Sequence, residues 1–360
     1  MRNKDDLVQK YVFFVGSLTH GGAERVISIL TKYMLDMGKQ VELVLYYDTA
    51  PFYTLHPNLK VVFVERETKS KNIVKNLLWI RKYFKDYADV IVSFLAPFNI
   101  LTVLSTLGLR KKVIVADRND PRFVPSNLFV RRLRDFLYRF ANGVVVQTSN
   151  NKKYFSKSVQ KKTAVIFNPV DIGEDQGRGL QTRKEKRIVS VGRLVSQKNQ
   201  KMLIDAFAQI HKDFPNYTLT IYGEGNCREA LESQIKNLHL EGFVTLPGTK
   251  KNIFDHISNA ALFVLSSNYE GMPNALIEAM CLGLPVISTA VSGTSDLIED
   301  GVNGTIVPVG NKEKMIEAIR YVLSNTEIQK KYATSAVKIN EKLKVDIVME
   351  EWIKFIAEII

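Results

Sequence analysis

The chain has 360 residues, 46% apolar and 24% charged, with 20 Gly and 11 Pro, a composition that excludes a disordered or collagen-like protein and, at ~100–200 residues per domain, predicts two domains. Two cysteines, Cys227 and Cys281, and five histidines without ligand spacing exclude a disulfide framework and predict no metal site, and no window approaches the ~20 apolar residues of a membrane span. The net charge of +13 is uneven: residues 1–172 hold 28 Lys+Arg against 14 Asp+Glu, and the remainder 22 against 23, so the first half is expected to meet a polyanion unless the charge serves solubility alone.

The opening "MRNKDDLVQKYVFFVGS" places acids where a signal peptide needs a basic flank, and its short apolar run reads as a strand of a cytoplasmic protein. A helix is predicted over Ala23 to Asp36, so Gly21 and Gly22 sit at a strand-to-helix turn where backbone N–H groups favour an anion. Taken alone, such a pair is more often a structural turn. The runs "QVELVLYY", "DVIVSFL", "KVIVADR", "GVVVQTS" and "TAVIFNP" then alternate with helical patterns, which predicts βαβ units and a buried parallel sheet. Between them, "SKNIVKNLLWIRKYFKDY" and "FVRRLRDFLYRF" mix Lys and Arg with aromatic and aliphatic residues, the pattern of helices lying on an anionic bilayer, or else of ordinary sheet-covering helices with a solvated basic face.

The alternation pauses over residues 173–187, read as a linker or mobile loop, and resumes with a strand over Arg187 to Val191 and a helix over Met202 to Phe214. Gly192, Arg193 and Lys198 lie at that strand's exit, where a guanidinium fork and an ammonium clamp a diphosphate. Further on, "YGEG" supplies Gly223 and Gly225, and the helix Arg228 to Leu238 follows. The stretch "NYEGMPNALIEAM" is more specific: Pro273 suits a first helical turn, the amides of Asn274, Ala275 and Leu276 are expected to face an anion, Glu270 arrives on the preceding loop, and Glu278 sits inside the helix. The chain ends in "DIVMEEWIKFIAEII", a helix with one broad apolar face. Two doubly wound α/β domains are thus predicted, with ligands at the carboxyl ends of the strands and the active site in the cleft between them.

Taken together, "GGAERV", "GRLVSQKNQKMLIDAF", "YGEG", the segment "PGTKKNIFDHISNAALFVLSSNYEGMPNALIEAMCLGLPVIST" and "LIEDGVNGTIVPVG" resemble the retaining nucleotide-sugar glycosyltransferases of family 4, which have the GT-B fold of two facing Rossmann-like domains. The resemblance implies an acceptor-binding, membrane-facing domain over 1–172, a donor-binding domain over 188–340, and a terminal helix over 341–360 that packs back on the first domain. It implies a metal-free transfer from a nucleotide diphosphate sugar, a UDP-sugar by preference, with no bound cofactor. By the same resemblance Arg193 and Lys198 hold the donor diphosphate, Glu270 addresses the sugar near its reacting carbon, and Glu278 holds the ribose. The backbone of Gly271, Met272, Pro273, Asn274 and Leu276 lines sugar and phosphates, Gly21 and Gly22 close over the donor, and Leu246, Pro247, Asn252 and Ile253 form the base pocket.

Where many relatives carry a histidine, "VIVADRNDPR" offers Asp117, Arg118 and Asn119, so Arg118 or Asn119 is expected to meet the sugar or the acceptor phosphates. Within the family the likeness points to bacterial enzymes that extend lipid-linked oligosaccharides for capsule, exopolysaccharide and related glycans at the inner face of the cell membrane. The alternatives are a family 4 enzyme with a soluble acceptor and, from another class, a nucleic-acid-binding protein, which leaves the donor motifs without a role.

Overall fold

The computed structural model describes residues 9–19, 22–170, 173–181 and 184–360. The chain divides into two compact units, one running to Pro169 and regaining Asp346–Ile360, the other spanning Val170–Val345.

In the first unit the β-branched runs become seven parallel strands among the described residues: β1 (Lys10–Val15), β2 (Gln40–Leu45), β3 (Lys60–Phe63), β4 (Val90–Phe94), β5 (Lys112–Ala116), β6 (Gly143–Val146) and β7 (Thr163–Val165). Their spatial order is β3-β2-β1-β4-β5-β6-β7, so strand order reverses between β1 and β4. With right-handed crossovers, that reversal sends helices to opposite faces and opens a site at the carboxyl ends of the strands. Alternation along each strand serves the two faces. Val12 and Phe14 of β1, with Ile91, Val113, Val115, Val144 and Val146, share one apolar cluster. Helices α1 (Gly22–Asp36), α2 (Ile73–Tyr87), α3 (Ala96–Thr106) and α4 (Leu128–Leu137) connect the strands, and α2 and α3 contribute Ile80, Phe84, Ile100 and Val103 to that same cluster. The intervening side chains include Phe13 and Phe94, which lie against each other with centroids 6.5 Å apart.

The second unit has six parallel strands among the described residues, β8 (Glu185–Val191), β9 (Thr218–Tyr222), β10 (Val244–Thr245), β11 (Ala260–Leu265), β12 (Val286–Thr289) and β13 (Thr305–Val307), in the order β10-β9-β8-β11-β12-β13. The reversal falls between β8 and β11. Helices α5 (Gln200–Asp213), α6 (Arg228–Asn237), α7 (Asn274–Cys281) and α8 (Lys312–Ser324) cover the sheet, and α5 and α8 bury Leu203, Phe207, Ile210, Met315, Ile319 and Val322 in one cluster.

Of the predicted linker over 173–187, residues 182–183 lie outside the described residues. The described part is packed: it carries a short helix, Arg178–Gln181, and the start of β8. Gly177 N–H donates to Cys281 O at 3.0 Å and Gly179 N–H to Leu282 O at 2.7 Å, so the segment caps the end of α7. Gly179 is required there, because a Cβ would stand 2.7 Å from the Leu282 carbonyl. Small residues and charge mimic a linker in sequence; here they permit a close backbone approach.

The last helix, α9 (Val345–Ile359), joins the first unit from Asp346 onward. Its Val348, Met349, Trp352 and Ile356 are buried, and Trp352 stacks on Phe94 at 5.5 Å between centroids. Lys112 Nζ closes the helix end by donating to Ile359 O at 2.7 Å.

Candidate functional site

The adjacent carboxyl ends of β8 and β11 bring Lys198 and Glu270 together. Lys198 Nζ lies 2.6 Å from Glu270 Oε1, and Ser267 Oγ donates to the same oxygen at 2.6 Å. Glu270 is 6% exposed. The two loops are laced by their backbones: Asn268 N–H donates to Gln197 O at 2.8 Å, Gln197 Nε2 to Tyr269 O at 2.9 Å, and Ser266 Oγ to Lys198 O at 2.9 Å. The short cation–carboxylate contact holds both groups in place on braced loops, and an anion reaching Lys198 would displace Glu270 from it. Arg193 opens the same loop with its side chain exposed, while Gln200 Nε2 fixes its carbonyl at 2.9 Å. Gly192 leaves space for the Lys198 stem, since a Cβ would meet Lys198 Cε at 3.3 Å. Gly223, at φ +143°, brings the β9 exit so close that its Cβ would stand 2.0 Å from Gly192 O. The "YGEG" turn is therefore fixed by contact with the Arg193 loop.

Beyond Glu270, Pro273 is the N-cap of α7 and not a residue of its first turn; the helix begins at Asn274. With ψ at 85°, Pro273 turns its carbonyl into the helix, where it accepts Leu276 N–H at 3.0 Å and Ile277 N–H at 3.2 Å. The expectation of a free amide at Leu276 is thus corrected, because the proline supplies the acceptor itself. Met272 is buried, Gly271, Asn274 and Glu278 are half-buried, and Glu278 is the fifth residue of α7. Burial, with Glu278 nearby, pushes the Cys281 thiol up to about 12, so this cysteine is unreactive at neutral pH.

Leu246 and Pro247 follow β10 on a loop tied to the "YGEG" turn. Gly223 N–H donates to Gly248 O at 3.0 Å, and Arg228, held on Glu224 at 2.6 and 2.8 Å, donates to Leu246 O at 3.2 Å. Asn252 precedes the short helix Ile253–Ile257, its amide donating to Asp255 at 2.6 Å. Gly22 opens α1, and Gly21 lies outside the described residues.

In the first unit, Asp117 and Arg118 follow β5, and strand alternation sends them to opposite sides. Asp117 is fully buried, with Oδ2 at 3.5 Å from Arg134 Nη1 and 3.2 Å from the Tyr138 hydroxyl. Burial pushes its carboxyl up, against the pull of Arg134. Arg134 also donates to Val124 O at 2.5 Å and Pro121 O at 2.9 Å, bracing the loop that carries Arg118 and Asn119. Arg118 turns toward Phe94, with its guanidinium carbon 5.9 Å from the ring centre, and donates to Asn168 Oδ1. Burial pulls it down to about 9. The Asn119 carbonyl accepts from Asn151 Nδ2 at 3.2 Å. Ser267, Arg134, Gln147 and Asn168 are additions to the residues read from sequence. The signal for Gln147 and Asn168 is their place: each is a polar residue just past an apolar strand, as Arg118 is.

Residues 171–338 match the family described as "Glycosyl transferases group 1". A Campylobacter jejuni GalNAc-alpha-(1->4)-GalNAc-alpha-(1->3)-diNAcBac-PP-undecaprenol alpha-1,4-N-acetyl-D-galactosaminyltransferase is 27% identical over 98% of this chain and 99% of its own. The amylovoran biosynthesis glycosyltransferase AmsD of Erwinia amylovora is 24% identical over 94% of this chain and 96% of its own. Among solved structures, Anabaena HepE in complex with UDP superposes with a TM-score of 0.81 at 21% identity, over 97% of this chain and 100% of that one. Two parallel doubly wound sheets of this order are the GT-B fold. The second unit thus carries the group 1 glycosyl transferase match on a GT-B fold, and the chain is a glycosyltransferase.

Proposed function

We propose that the protein moves a hexose or N-acetylhexosamine from a UDP-sugar to a lipid-linked oligosaccharide, with retention at the anomeric carbon, on an anionic membrane surface. The observation that carries this reading is the 2.6 Å contact between Lys198 and the buried Glu270 at the strand reversal of the second sheet, where doubly wound sheets take nucleotides. Support for the donor class comes from HepE, a protein of the same fold solved with UDP, and support for the acceptor from the C. jejuni relative, whose name gives an undecaprenol diphosphate glycan.

In this scheme Arg193 and Lys198 neutralise the donor diphosphate. Glu270, released from Lys198, accepts from the sugar hydroxyls, and Glu278 accepts from the ribose. Leu246, Pro247, Asn252 and Ile253 take the base, and the backbone from Gly271 to Asn274 lines the phosphates. The acceptor oxygen bonds to the anomeric carbon on the face the diphosphate leaves, the bond to the diphosphate oxygen breaks, and that oxygen takes the acceptor's proton. Cations stabilise the departing charge, so no protein nucleophile is required. Arg118 and Asn119 meet the sugar or the acceptor. No helix among the described residues is long and apolar enough to cross a membrane, and this scheme has the protein meet lipid peripherally.

A thermal-shift screen of UDP-, GDP- and ADP-sugars tests the donor. A UDP-sugar at 100 times its Kd should stabilise the protein by about 2.7 kcal/mol. Loss of that shift in Glu278→Ala supports the assignment, and no shift with any nucleotide sugar sinks it.

A further inference from the structure

Arg118, Gln147 and Asn168 stand at the exits of β5, β6 and β7, three neighbouring strands, and are 6%, 2% and 4% exposed. Arg118 Nη2 donates to Asn168 Oδ1, and Gln147 Nε2 donates to the same oxygen at 2.7 Å. A guanidinium has only donors, so its bond requires the oxygen of Asn168 to face it. That oxygen in turn requires the nitrogen of Gln147, which leaves Gln147 Oε1 pointing away from Asn168. The orientation of both amides thus follows from one arginine. Three atoms of this buried cluster have no hydrogen-bond partner among the described residues: the donors Arg118 Nε and Nη1 and the acceptor Gln147 Oε1. Buried polar groups left open in this way ask for a ligand. The nearby carboxylate, Asp117, is engaged through Oδ2 by Arg134 and Tyr138, while its Oδ1 is likewise without a hydrogen-bond partner among the described residues.

The open atoms define the ligand's chemistry. A phosphate offers acceptors alone and would leave Gln147 Oε1 unmatched. A secondary amide offers a carbonyl oxygen on one edge and an N–H on the opposite edge, so that lying between a guanidinium and a side-chain carbonyl it accepts from one and donates to the other. We propose that Arg118, Gln147 and Asn168 form a subsite for the 2-acetamido group of an N-acetylhexosamine, Arg118 donating to its carbonyl and Gln147 accepting from its N–H. The inference rests on the glycosyltransferase reading above and adds a specificity device to it. The acetamido group belongs either to the transferred sugar or to the terminal sugar of the acceptor.

Two arms separate those sources. In the first, titration calorimetry compares UDP-GlcNAc with UDP-glucose and UDP-GalNAc with UDP-galactose. In the second, turnover is compared on polyprenyl-diphosphate acceptors ending in N-acetylhexosamine or in the matching hexose. The wild-type protein should prefer the acetamido ligand in one arm by roughly 10- to 100-fold, since a buried polar site rejects an analogue that leaves its groups unpaired. Gln147→Met and Arg118→Met should each erase that preference, with UDP affinity and melting behaviour showing that the variants remain folded. Absence of preference in both wild-type arms, a measurement that needs no variant, overturns the proposal, as does a preference that survives both substitutions. Failure of the wild-type protein to bind UDP at all would instead overturn the functional reading, and the subsite with it.

Discussion

Lys198 and Arg118 are both cations at strand exits, but only Lys198 has a carboxylate in contact, Glu270 at 2.6 Å. Arg118 has an amide oxygen and the edge of an aromatic cluster, and burial pulls its pKa down to about 9. Above that value the unfolded chain therefore holds more protons, and stability rises as pH climbs past about 9; below pH 9 the penalty is present in full. Arg118→Met should raise the ligand-free melting temperature at pH 7, by a stabilisation of roughly 1 kcal/mol or more, because an unpaired buried charge is replaced by an apolar chain of similar length. A lowered melting temperature would show that the Asn168 bond outweighs desolvation. The two glutamates of the second unit separate differently. Glu270→Ala removes a buried group beside Lys198 and should lower kcat by ~10²–10³ with little change in donor Kd. Glu278→Ala should weaken donor binding by about 10- to 100-fold with a smaller effect on kcat, and wild-type kinetics in both variants would reduce the motif to a capped helix. Sequence made Lys198 and Glu270 legible because their local motifs are dense. It hid Asn168, which is 50 residues from Arg118 and 21 from Gln147, because only parallel strand order brings the three exits side by side.

At the scale of elements, α4 shows what composition conceals. "FVRRLRDFLYRF" reads as uniformly basic and aromatic, yet Arg134 is wholly buried under the Asp117 loop while Arg132 and Arg139 are exposed. The exposed stripe of Phe129, Arg132, Phe136, Arg139 and Phe140 recurs at three- and four-residue steps, continuing past the helix end, with Phe129 76% exposed and Phe136 and Phe140 5.4 Å apart. Period fixes which residues share a face, but not which arginine turns inward; Arg134 does so onto the carbonyls of Pro121 and Val124, which no periodicity records. One helix thus holds the Arg118 loop with one side and presents aromatic rings with cations on the other, the mixture that seats in lipid headgroups. Phe129→Ser with Phe136→Ser should lower co-flotation with anionic vesicles by at least about tenfold, at ~0.8 kcal/mol per methylene removed from lipid, and leave UDP binding intact. Unchanged flotation would place the lipid contact elsewhere.

Over the whole molecule, the strand alternation was legible in both halves because buried parallel strands are continuous β-branched runs; an apolar face alone does not say which sheet it covers, and α9 joins the first unit, as expected of the terminal helix. The helix carries Asp346, Glu350, Glu351 and Glu358 against Lys354 alone, so it offsets part of the first unit's positive charge. Its anchor is Trp352, fully buried and stacked on Phe94, the residue against which Arg118 also lies. Replacing Trp352 with Ala removes the largest buried side chain of the protein and should cost about 3–5 kcal/mol. The loss should be confined to one unit. Amides of β4 and β5 should exchange with solvent faster by a factor on the order of 10² or more, while those of β8 and β11 keep their protection, because exchange reports the stability of each cooperative region separately. UDP binding would then survive while transfer fails, separating donor binding from the acceptor side of the reaction. Equal loss of protection in all four strands would mean instead that the two units unfold as one, and that α9 stabilises the chain as a whole.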